Sequence, residues 1–70
     1  MKNYNLSRRI QKLVDEYKLE MIEGVYQLPK NIAKEFLLKA NLKCDTITTD
    51  GYRMMRSKNS KNIMMLINII

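Results

Sequence analysis

Seven of the last eight residues, Ile63-Met64-Met65-Leu66-Ile67-Asn68-Ile69-Ile70, are apolar. Read as a strand, the run puts residues 63, 65, 67 and 69 on one face and 64, 66, 68 and 70 on the other, so both faces are mostly apolar. Such a strand needs cover on both sides, and at an open edge it invites aggregation. The run is far shorter than the roughly 20 apolar residues of a bilayer-spanning helix, and at this length a short buried helix is the alternative. In a chain of 70 residues the demand for cover is severe. A domain this small buries only about 60% of the surface that its unfolded chain exposes. Disulfides, a metal or oligomerisation usually make up the deficit. The single Cys44 excludes an internal disulfide, and the absence of His removes the commonest zinc ligand. Oligomerisation remains, which predicts a homodimer with the C-terminal strand in its interface.

The clearest local signal is Thr49-Asp50-Gly51-Tyr52, between the β-prone runs 44–49 and 52–56. Asp-Gly favours the two-residue type I′ turn that matches strand twist. That loop pairs Thr49 with Tyr52, Ile47 with Met54 and Asp45 with Arg56 on one face. It pairs Thr48 with Arg53 and Thr46 with Met55 on the other. Asp45 and Arg56 are opposite in charge, a cross-strand pair that contributes about 0.2–1 kcal/mol.

Upstream, Leu6, Ile10, Leu13, Val14, Tyr17 and Met21 recur at helical spacing, with Asn5 or Ser7 as the cap and Gly24 as the stop. Residues 17–23 also alternate with period two, so the helix alternatively stops near Glu16 and a strand follows. Val25-Tyr26-Gln27-Leu28 reads as a strand. Pro29 suits a helix start. Ile32, Ala33, Phe36, Leu37 and Ala40 form a second amphipathic face, and Asn41 suits a left-handed C-terminal position. Residues 58–62 are a polar turn. The expectation is one α+β domain over residues 1–70. It comprises a helix in 1–16, a strand-helix-hairpin unit in 24–57 and a strand in 63–70. One or two helices accompany an antiparallel sheet of three to four strands in an intertwined homodimer. The expected dimer contacts are Ile47, Met54, Ile63, Met65, Ile67 and Ile69.

The run from Gly24 to Phe36, with its apolar-Pro step at Leu28-Pro29 and apolar residues at Ile32 and Phe36, resembles the swapped-hairpin domain of AbrB/SpoVT/MazE-type proteins. Residues 44–48 and 50–55 are similar to that family's later strands in order and spacing, so the resemblance covers about half of the chain. It implies interleaved hairpins from two chains, and DNA binding. Val25 and Ala33 stand where family members often carry Arg. The Lys-, Asn-, Ile- and Met-rich composition is similar to that of small YopT-like prophage proteins of Gram-positive bacteria.

Thirteen Lys and Arg against seven Asp and Glu give a formal charge of +6. A basic excess points to nucleic acid, an acidic protein or an anionic membrane. Without His, and with Gly24 and Gly51 too far apart for a phosphate loop, no enzyme, metal or cofactor is expected. The first residues contain no apolar signal segment, and a free Cys44 suits a reducing cytoplasm. Expected nucleic-acid contacts are Arg8, Arg9, Lys12, Lys30, Lys34, Arg53 and Arg56. The other partner reading is a non-enzymatic module, such as a phage inhibitor, adaptor or antitoxin, acting on a host protein. A membrane surface is disfavoured, because the second half of the first helix is acidic.

Overall fold

The computed structural model describes residues 6–59 and 62–70. Asn5 as a helix cap, and Ser60 and Lys61 of the polar turn, lie outside the described residues. Helix α1 spans Arg8–Tyr17, β1 Glu20–Ile22, β2 Val25–Leu28, α2 Lys30–Ala40, β3 Leu42–Ile47, β4 Arg53–Ser57 and β5 Ile63–Ile69. The α+β class is as expected. The sheet differs: it has five strands in the order β1-β2-β5-β4-β3, and β2 pairs with β5 in parallel.

Ser7 caps α1, its hydroxyl accepting from the Ile10 amide at 3.2 Å. The helix ends at Lys18, not Gly24. Lys18 turns left-handed at φ 54°, and its amide and that of Leu19 close on the Asp15 and Val14 carbonyls. Of the two readings of residues 17–23 the second holds: the helix ends at Tyr17 and a three-residue strand follows, so Met21 belongs to β1 and not to α1. Pro29 precedes α2, and Asn41 ends it in the left-handed region at φ 56°.

The two tight hairpins use different turns, and the type I′ turn expected at Asp50-Gly51 is found instead between β1 and β2. Glu23 (φ 50°) and Gly24 (φ 81°) form the two-residue loop between β1 and β2, with the paired positive φ of a type I′ turn. The Asp50-Gly51 loop is one residue longer. The Gly51 amide donates to the Thr48 carbonyl at 2.9 Å, the Thr48 amide to the Tyr52 carbonyl at 2.8 Å, and Gly51 sits at φ 88°. This is a turn closed by a left-handed glycine, the three-residue alternative to type I′. The expected register is therefore shifted: Ile47 opposes Arg53 and Thr46 opposes Met54. A bulge at Asp45 then restores pairing, with Cys44 opposite Met55 and Lys43 opposite Arg56. The expected Asp45–Arg56 ion pair forms all the same, from the bulge position.

Strand β5 is not at an edge. It lies between β2 and β4, hydrogen bonded on both sides, and Lys30 N–H to Ile70 O and Ile70 N–H to Leu28 O prolong the ladder. Its residues Met65 and Ile67, each 1% exposed, join Ile10, Val14, Tyr26, Leu28, Ala33, Phe36, Ala40, Leu42 and Met55 in one core beneath both helices. Met65 and Ile67 are thus corrected from dimer contacts to core residues of the chain itself. Ile69 packs against the same core.

Phe36 is fully buried. Phe36→Ala is expected to cost about 3–5 kcal/mol, enough to abolish a cooperative urea transition in so small a domain. A midpoint close to that of the parent chain would refute this account of the core. At Gly51 an added Cβ meets no atom within 4 Å. Gly51→Ala therefore tests backbone strain alone, and a loss of about 1–2 kcal/mol is expected in thermal unfolding.

Candidate nucleic-acid interface

The helices pack antiparallel on the sheet. At one end Arg9 Nη2 donates to the Lys39 carbonyl at 2.9 Å. Eight residues further along α1, Tyr17 meets Phe36 edge-on, with ring centroids 5.6 Å apart. The first contact brings the start of α1 beside the end of α2. The chain then enters β3, whose Lys43 opposes Arg56 in β4. Beyond β4 the Lys58 amide donates to the Asn41 carbonyl at 3.0 Å. One end of the molecule thereby carries Arg8, Arg9 and Lys58, with Lys43 and Arg56 at the same end on the sheet face away from the helices. Beside Arg9 lies a cleft of about 240 Å³ lined by Ser7, Arg9, Ile10, Ala40, Ser57 and Met64.

The electrostatics favour an anion at this end. The first turn of α1 carries Arg8 and Arg9 and no acid, so its own charges oppose the positive helix terminus. Lys39 in the last turn of α2, and Arg9 on its carbonyl, complement that helix's negative terminus. Asp45 is the acid nearest these cations in the sheet and is already paired with Arg56. Asp15, Glu16 and Glu20 lie toward the other end of α1 and the start of β1, and Glu23 lies at the β1–β2 turn, at the basic end but on the opposite edge of the sheet from β3.

Of the residues expected from sequence, the fold gathers Arg8, Arg9 and Arg56, with Lys12 exposed one turn along α1. Lys30 and Lys34 sit in the first half of α2, and Arg53 beside the Asp50-Gly51 loop, all toward the opposite end. Lys39, Lys43 and Lys58 were not anticipated. Their signal in the sequence was weak, because only the return of α2 and the β3–β4 pairing bring them to this end. Among the described residues no group of three His, Cys, Asp or Glu could hold a metal ion. No described helix is long and apolar enough to cross a membrane. Comparison with protein-family models, with curated proteins and with solved structures finds no match.

A polar clamp fixes the helix pair that builds this end. The Tyr17 hydroxyl donates to Glu35 Oε2 at 2.5 Å, and Lys39 Nζ lies 5.6 Å from the centre of the Tyr17 ring. The hydrogen bond to Glu35 is the main reason that the Tyr17 phenol titrates above its ordinary 10.0. Burial does the same for Tyr26. Lys39 also rises above 10.5, chiefly through its hydrogen bond to Tyr17. All three folded values are raised. The associated stability is therefore complete below the unfolded values and is lost as pH climbs through the folded ones. Ultraviolet titration should show Tyr17 and Tyr26 ionising late, with stability falling above about pH 10. Tyr17→Phe should remove one late phenol. A Tyr17 that ionises at or below the ordinary value would disprove the clamp.

Proposed function

We propose that the protein is a small DNA-binding transcriptional regulator that grips the phosphate backbone with the basic end of its helix-sheet sandwich. The observation behind this reading is the placement of Arg8, Arg9 and Lys58 at one end, with Lys43 and Arg56 on the other face of that end, beside a helix start that carries no acid. Lys and Arg on such a surface neutralise phosphates and release counterions. The cleft beside Arg9 and Ser57 offers a polar rim over an apolar floor of Ile10, Ala40 and Met64. Cys44 is exposed, which fits a protein working in a reducing cytoplasm. A second reading, a module acting on another protein, is favoured by the exposed apolar pair Met21 (49%) and Ile22 (53%) on β1.

Fluorescence anisotropy with duplex DNA separates the two. Six to ten phosphate contacts would weaken binding about 10³–10⁵-fold between about 50 and 200 mM salt. Arg8→Ala and Lys58→Ala should each lower the salt slope by about one phosphate contact. Lys30→Ala and Lys34→Ala, at the other end, should leave it unchanged. No binding at the lower salt would end the DNA reading and favour the protein partner. A slope that responds to Lys30 and Lys34 instead would move the interface to the outer face of α2.

A further inference from the structure

Both helices lie on one face of the sheet, and no described element covers the other. Partnered residues share a face, so the register shows what the open face carries. One row crosses all five strands: Ile22, Val25, Leu66, Met54 and Thr46. Four of these five are apolar. Val25 is only 6% exposed yet stands outside the core cluster, so it is buried within this second surface. The rows on either side are mostly polar or charged. Toward one end run Glu20, Gln27 and Asn68, with the Asn68 amide donating to Gln27 Oε1 at 2.9 Å. Toward the basic end run Ile63, Arg56 and Lys43. An apolar centre between polar margins is the anatomy of a protein interface, not of a solvated sheet.

We propose that a second copy of this chain docks on the open face, about a two-fold axis parallel to β5. Two observations select this occupant and this axis. The first is self-complementarity. The axis lays Leu66 of one copy on Leu66 of the other, Val25 on Met54, and Ile22 on Thr46, so the apolar row covers itself. The second is charge. The axis sets the β1 side of one copy over the β3 side of the other, bringing the Glu23 corner toward Lys43 twice. The alternative axis, along the apolar row, offers no such charge match. The Asp45–Arg56 pair is already formed within each chain, so docking buries no unpaired charge there.

The docking stands apart from the DNA-binding reading, and only one consequence rests on that reading. An axis parallel to the strands points both basic ends the same way. The dimer would then present Arg8, Arg9 and Lys58 of both copies on one side, a symmetric footprint for a two-fold-related site.

Sedimentation equilibrium at micromolar concentration should give about twice the 8.3 kDa chain mass. Ile22→Glu, at a half-exposed position, and Leu66→Glu should each give the single-chain mass with an unchanged circular dichroism spectrum. If Leu66→Glu unfolds, Ile22→Glu alone decides. A monomeric parent, or a folded Ile22→Glu that remains dimeric, overturns the proposal. In a Cys44→Ser background, a short bis-methanethiosulfonate reagent should cross-link Leu66→Cys between copies and should not cross-link Met54→Cys. The reverse pattern, or cross-linking at both positions, overturns the axis. A dimer that passes these tests but binds no DNA leaves the interface standing and removes only the DNA reading.

Discussion

Everything in this fold depends on the insertion of β5 between β2 and β4. The strand is apolar on both faces and could not remain at an edge. By pairing in parallel with β2 and antiparallel with β4, it satisfies its backbone groups on both sides. It also joins the β1–β2 hairpin to the β3–β4 hairpin, which share no ladder of their own. Met65 and Ile67 then supply the floor on which α1 and α2 rest. Without β5 the two hairpins would be separate and the core would be open.

The basic end follows from the same arrangement. Strand β2 leads away from that end, α2 returns along the sheet, and β3 leaves again. Each reversal places an end of an element beside the start of α1. Lys58 comes to the end that holds Arg8 and Arg9 because the chain turns at Asn41 and after Ser57. The left-handed Asn41 is thus a positioning residue for a charged surface as well as a helix stop. The clamp of Tyr17, Glu35 and Lys39 holds the two helices in the antiparallel pairing that this surface requires.

Much of the local structure was legible. Ser7 as a cap, the β2 strand, Pro29 ahead of α2, Asn41 after it and a strand over the C-terminal run were all readable from residue type and period. The Asp45–Arg56 pair was readable too, although through the wrong register. The Asp-Gly dipeptide fits both a two-residue and a three-residue loop, and only the bulge at Asp45 reconciles the longer one with the ion pair. For the candidate interface, Arg8, Arg9 and Arg56 were legible as cations but not as neighbours. Lys30, Lys34 and Arg53 looked equivalent to them, because a charge count holds no information about which ends meet.

The sequence by itself determined the α+β class, the places where the chain turns and which faces of the helices are apolar. These depend on interactions spanning a few residues: caps, turn dihedrals and side-chain period. Only the tertiary structure decided that the last strand is central, that its partner β2 lies some forty residues away, and that one face of the sheet stays open. Those choices rest on non-local pairing. A two-sided apolar strand demands cover without specifying whether its own chain or another supplies it. Here the helices cover one side of β5 from within the chain, and the row through Leu66 leaves the same demand standing on the other.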